Sequence, residues 1–154
     1  MKQILVIALL CIGFNMAKAQ SLRIVNRTPC EVHYVMYGDD PMGNCSANYR
    51  SDVYTLGAGL SVTYASPAAV PLPGLVDGGG TQLMSGWFSH VRFPQCNPNF
   101  CPGCGTSSVV VGDASCGAST MASHSFYPNC SATACGPVNI SYANVGGNVT
   151  VTIF

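Results

Sequence analysis

Apolar residues along this chain recur at every second position over short runs, and the runs stop at glycine, proline, asparagine or aspartate. "SLRIVN" (21–26), "EVHYVMY" (31–37), "DVYTL" (52–56), "LSVTYA" (60–65), "GWFSHVRF" (86–93), "SSVVVG" (107–112), "SHSFY" (123–127), "VNISYA" (138–143) and "NVTVTIF" (148–154) are rich in β-branched and aromatic side chains, as half-buried strands require. No window of eleven or more residues keeps the i, i+3, i+4, i+7 apolar spacing of a helix free of glycine or proline. The pattern therefore predicts an all-β chain of seven to nine strands. Val138, Ile140 and Tyr142 alternate before Asn-Val-Gly-Gly, and Val149, Val151 and Ile153 alternate after it, which predicts a closing hairpin because glycine accepts the positive φ of such turns. Gly57 and Gly59 predict a second tight connection. With no helices to cover the apolar strand faces, two sheets must cover each other. The expected fold is a single-domain antiparallel β-sandwich, disulfide-rich, with long loops at 38–50, 66–80 and 94–105. A closed outer-membrane barrel is disfavoured, since the positions alternating with Phe154 are the polar Thr152 and Thr150.

The first nineteen residues break this pattern. Met1-Lys2, the apolar run from Ile4 to Phe14 and the small residues of Ala17-Lys18-Ala19 form a secretory signal. The expected division is a signal peptide at 1–19 and a β-domain at 20–154, secreted to an extracellular, cell-surface or periplasmic location. Lipid attachment at Cys11 is disfavoured by the large Leu10 before it, and no later stretch approaches the roughly 20 apolar residues of a membrane span. Removing the leader takes Cys11 away and leaves eight cysteines: Cys30, Cys45, Cys96, Cys101, Cys104, Cys116, Cys130 and Cys135. It also leaves four arginines against six carboxylates. Without a basic cluster, nucleic acid is a poor partner.

"LRIVNRTPCEVHYVMYG" and "YTLGAGLSVTYASP" together resemble the opening of thaumatin-like proteins, with an Ile-Val-Asn strand, a nearby cysteine, a second strand and a glycine turn into the third. The resemblance covers Leu22 to about Pro67. It implies a β-sandwich and points toward polysaccharide binding. Thaumatin-like proteins are longer and carry more cysteines, and their acidic cleft has no matching residues here, so no site residue is carried over.

The densest thiol cluster is "CNPNFCPGCG" at 96–105. Its C-x4-C-x2-C spacing fits an iron–sulfur ligand set on paper, but Cys116 follows too soon to be the usual fourth ligand. Cys101-Pro-Gly-Cys104 has zinc-knuckle spacing, yet an oxidising compartment removes the thiolates that zinc needs. A redox role for Cys101 and Cys104 would want a helix N-terminus, and none is predicted there. The favoured reading is that all eight cysteines form disulfides, with no metal and no cofactor. Eight cysteines allow 105 pairings; proximity along the chain suggests Cys30 with Cys45 and Cys130 with Cys135, the other four pairing among themselves.

Catalytic signals are few. The Gly-x-Ser-x-Gly elbow and H-E-x-x-H do not occur. His33 and His90 read as hydrogen-bonded sheet histidines and His124 as lying near a strand edge. Asp39, Asp52 and Asp113 are the acids a small polysaccharide-active hydrolase would have to bring together. Asp39 and Asp40 with Asn44 offer a weak calcium pattern, for which an exposed acidic turn is the simpler reading. Trp87 is expected in the core, sharing a strand face with Val91 and Phe93, while Phe88, His90 and Arg92 share the other. Of Tyr34, Tyr37, Tyr49, Tyr54, Tyr64, Tyr127 and Tyr142, several should be exposed and suited to sugar or protein contact. Asn26, Asn44, Asn129, Asn139 and Asn148 each begin an N-x-Ser/Thr sequence. The expected function is non-enzymatic: surface binding, adhesion or assembly, with a polysaccharide or cell-surface protein as partner and self-assembly through edge strands such as "NVTVTIF". The alternatives are the small hydrolase and, after it, a thiol oxidoreductase using Cys101 and Cys104.

Overall fold

A computed structural model describes residues 21–42, 45–97, 99, 101, 105–128 and 133–154. Residues 1–19, expected as a signal peptide, and Asn44, Cys104, Asn129 and Cys130 lie outside these residues. The chain is all-β. Ten strands occur among the described residues: β1 (Ser21–Asn26), β2 (Val32–Asp39), β3 (Tyr49–Arg50), β4 (Tyr54–Leu56), β5 (Ser61–Tyr64), β6 (Trp87–Pro94), β7 (Ser108–Gly112), β8 (Met121–Phe126), β9 (Cys135–Val145) and β10 (Asn148–Ile153). All nine expected segments are strands, and the tenth, β3, lies inside an expected loop. Short 3-10 turns lie at Pro67–Ala69 and Ala114–Cys116, and no described helix is long and apolar enough to cross a membrane.

Two sheets result. One has the order β5-β1-β10-β9-β8; the other runs β3-β2-β6-β7, with β4 also paired to β2. β9 and β10 form the expected hairpin, with Gly146 and Gly147 at φ 58° and 84°. One ladder departs from the antiparallel expectation: β1 and β10 pair in parallel, from Ser21 opposite Asn148 to Asn26 opposite Ile153. A second correction concerns "NVTVTIF". β10 is held between β1 and β9, so it offers no free edge for another chain. The outer strands are instead β5 and β8 in the first sheet and β7 in the second, where β4 lines β2 beside β3 and Arg50 of β3 is bridged in turn to Val76.

Both sheets feed one buried cluster. Leu22, Ile24, Ile140, Val151 and Ile153 come from the first, and Val32, Met36, Phe88, Val91 and Phe93 from the second. Contacts cross between them: Phe93 meets Phe126 edge to face at 6.3 Å, Phe88 lies 6.5 Å from Tyr64, and the hydroxyls of Tyr34 and Tyr64 share a 2.7 Å hydrogen bond. Burial raises the pKa of both tyrosines, so they serve as neutral hydrogen-bonding groups within the core. The Gly57–Leu60 turn is tight, as expected, with Leu60 N bonded to Gly57 O and Gly59 at φ 71°. Rather than making a hairpin, it hands the chain from β4 in one sheet to β5 in the other. Buried Asn26 braces this corner: its Nδ2 donates to the carbonyls of Cys30 and Gly57, and its Oδ1 accepts from the Thr28 amide and hydroxyl.

The disulfides correct the pairing suggested by proximity. Cys30 joins Cys135, and Cys45 joins Cys116. Topology explains the first. β10 runs parallel to β1 and β9 returns antiparallel, so the start of β9 lies at the end where β1 finishes, and Cys30 just beyond β1 meets Cys135 there. Cys96 and Cys101 are disulfide-bonded as well.

Candidate functional site

In the second sheet, residues directly opposite one another share a face. Met36 and Tyr34 of β2 point into the core, which leaves Val35 and Tyr37 on the outer side. Opposite Tyr37 lie Arg50 on β3 and His90 on β6; opposite Val35 lies Arg92, with Val110 beyond it on β7. Tyr37 and His90 stack with ring centroids 4.4 Å apart and planes 15° from parallel. Arg50 and Val110 are exposed, and Tyr37, His90 and Arg92 are half-buried. The Arg92 Nε donates to Ser108 Oγ at 2.8 Å. Among the described residues neither guanidinium pairs with a carboxylate.

A β-bulge makes this face. The register of β2 on β6 shifts between Tyr37 and Gly38, so Ser89 is an extra residue. The bulge corrects the expected grouping of Phe88 with His90 and Arg92. Phe88 turns into the core with Val91 and Phe93, while His90 and Arg92 stay outside. Trp87 is buried, as expected, opposite Asp39. The Ser89 hydroxyl lies 3.2 Å from His90 Nδ1. Gly112 stands opposite His90, and a side chain at that position would overlap His90 Cβ.

The loop that follows Asp39 borders the face. Asp39 is fully buried, and its Oδ1 accepts from the Ser46 hydroxyl at 3.2 Å and the Asn48 amide at 3.4 Å, while Asn48 Nδ2 donates to Ser46 Oγ. The Asp39 Oδ2 has no hydrogen-bond partner among the described residues. Cys45 then reaches Cys116, in the turn just after β7. β6 lies between β2 and β7, so the loop spans the end of the sheet as a strap. Cys45 and Ala47 take φ of 61° and 51° to make that path. Burial lowers the His90 pKa, and the Asp39 charge partly offsets this by favouring the imidazolium.

The other candidates have partners of their own. Asp113 follows Gly112 beside the bulge, its amide bonded to the Ser89 carbonyl, and its side chain accepts from the Ser115 amide and hydroxyl and from Asn144 Nδ2, capping the 3-10 turn. Asp52 is exposed between β3 and β4. The side chains of Asp39, Asp52 and Asp113, the acids a hydrolase would need, share no hydrogen-bond partner among the described residues. Asp40 accepts from the Met42 amide, and no group of three or more His, Cys, Asp or Glu suited to a metal ion occurs among the described residues. His33 is buried, with Nδ1 3.0 Å from Thr55 Oγ1 and Nε2 3.9 Å from Glu31. His124 is buried against Phe126, and its Nε2 has no partner among the described residues. Tyr34, Tyr64 and Tyr142 are buried; Tyr37, Tyr49, Tyr54 and Tyr127 are half-exposed. The Asn26 side chain is committed to its corner, whereas Asn139 and Asn148 are exposed.

The outer side of the first sheet is different in kind. Ser61, Thr63, Arg23, Thr150, Thr152 and Ser141 face outward together with Val25, Ala143, Val145 and Met121, a mixed surface without an aromatic side chain and carrying one charge among the described residues. The Tyr37–His90 face was missed in the sequence because its members come from β2, β3 and β6 and carry no shared motif. Comparisons with protein-family models, curated proteins and solved structures yield no match to this chain.

Proposed function

We propose that the protein is a secreted, non-enzymatic β-sandwich, stapled by disulfides, that binds at a surface through the outer face of β3, β2, β6 and β7. The Tyr37–His90 stack carries this reading. It is a half-exposed aromatic pair on a rigid sheet, bracketed by two guanidiniums that no carboxylate neutralises among the described residues. Aromatic and arginine side chains on a fixed backbone are the usual anchors of binding surfaces, since little conformational entropy is lost on contact. The disulfides fit an oxidising compartment, in keeping with the leader pattern of the first nineteen residues.

The test compares wild type with Tyr37→Ala for retention on the surface of producing cells and on immobilised polysaccharides. Loss of the stacking surface should weaken retention about tenfold. Equal retention would remove this face from the binding surface.

A further inference from the structure

We infer that this face takes an acidic polysaccharide, its chain running across the outward edge of the Tyr37–His90 stack and its carboxylate or sulfate groups held by Arg50 and Arg92. The inference rests on the binding reading above and narrows it to a ligand class. Arg50 sits directly beside Tyr37, and Arg92 lies diagonally across from it next to His90 on β6. Strand spacing and rise put the two arginine Cα atoms roughly 12 Å apart with the stack between them, so one extended oligosaccharide can reach both. The hydrogen bond to Ser108 fixes the Arg92 side chain through Nε and leaves its terminal nitrogens without a partner among the described residues. The Arg50 guanidinium has none there either. A planar guanidinium offers paired N–H donors that match a carboxylate or sulfate.

Charge bookkeeping favours an anion of low charge density. From residue 21 onward the chain has four arginines and six carboxylates, yet two of the four arginines meet on this face. Two guanidiniums suit a polymer with widely spaced anions. They are too few for the phosphate contacts on which nucleic-acid affinity depends. The Tyr37 and Val110 surfaces give sugar rings an aromatic and apolar bed beside two guanidiniums, whereas the outer side of the first sheet has aliphatic side chains such as Val25 but no aromatic one and a single arginine.

The full secreted protein is titrated with polygalacturonate, dextran sulfate and uncharged dextran by calorimetry. Binding to an anionic polymer and not to dextran is expected, and it should weaken as salt rises to about 0.5 M because exposed charges are then screened. The polymer preferred tells carboxylate from sulfate. Arg50→Gln and Arg92→Gln should each weaken binding about tenfold or more, and Arg23→Gln on the other sheet should leave it unchanged. Arg50 is exposed, so its variant keeps the fold even if Arg92→Gln does not, which thermal unfolding checks. Dextran bound as tightly as the acidic polymers, and lost in Tyr37→Ala, would overturn the acidic ligand while leaving the broader binding reading in place. Preference for polyglutamate over every polysaccharide would also overturn it. No binding to any polymer, or wild-type affinity in Arg50→Gln, would do the same, and unchanged cell retention in Tyr37→Ala would sink both.

Discussion

The two sheets use the same alternation to opposite ends. In the sheet of β5, β1, β10, β9 and β8, alternation runs cleanly through β1 and β10, sending Leu22, Ile24, Val149, Val151 and Ile153 inward and threonine, with Ser21, Arg23 and Val25, outward. In the sheet of β3, β2, β6 and β7 the alternation is broken at Ser89, and a loop with two left-handed residues is bolted across its end by Cys45–Cys116. The first sheet is a regular layer over the core from β5 to β10, and its register shift lies at the β8–β9 edge, between His124 and Phe126 and beside Gly136. The second tolerates irregularity where it gathers a stacked tyrosine and histidine, a buried aspartate and two arginines, and irregular backbone next to a surface of this kind is where function is best sought.

The contrast can be broken at several points. The largest effect is expected from Cys45→Ser with Cys116→Ser. Opening a bridge between residues 71 apart should cost about 4 kcal/mol by the chain-entropy account. Urea unfolding measures this, and the fluorescence of Trp87, opposite the Asp39 that anchors the strap, reports whether the native strap loosens. Unchanged stability would show that the strap is held by Asp39 alone. Next comes Ile140→Ala in the first sheet, which removes a fully buried side chain and should cost about 3 kcal/mol while leaving binding at the Tyr37 face intact in the folded fraction. Asn26→Ala should cost about 2 kcal/mol, because the carbonyls of Cys30 and Gly57 lose their buried donor where the chain passes between sheets.

The smallest effect is in acid. Burial lowers the pKa of His33, His90 and His124 from the usual 6.5, with Glu31 and Asp39 partly opposing it for the first two. The native state thus holds fewer protons than the unfolded chain below that value. Stability is fully present above about pH 6.5 and falls as the pH drops through the lowered native values. The urea midpoint should be lower at pH 5 than at pH 7, and His124→Phe should remove the first sheet's share of the difference. Equal midpoints at the two pH values would show that the imidazoles are not held neutral by burial.

How far the fold is legible follows the same division. Every expected strand segment is a strand, because each carries its own period-two pattern and its own terminators, and Val138, Ile140, Tyr142, Val149, Val151 and Ile153 all face the core as their alternation requires. β3 was hidden because two residues carry no period. Phe88 was placed on the wrong face because a bulge leaves no composition signal in "GWFSHVRF". The disulfides were misjudged because chain proximity says nothing of a parallel β1–β10 ladder, which is what brings Cys30 to Cys135. The candidate face was the least legible: Tyr37 meets His90 only through the register of β2 on β6, a relation between distant segments.

That parallel ladder also sets an order of events. Ser21 and Asn148 lie side by side, bonded through the Ser21 hydroxyl, although 127 residues separate them, and β10 is the strand that joins β1 to β9. β1 therefore leaves the ribosome long before its neighbour exists. Neither β1 nor β9 can complete its pairing in the first sheet until β10 lies between them. Contacts this distant in sequence carry a large loop-closure cost, so closure of this sheet is expected to be slow.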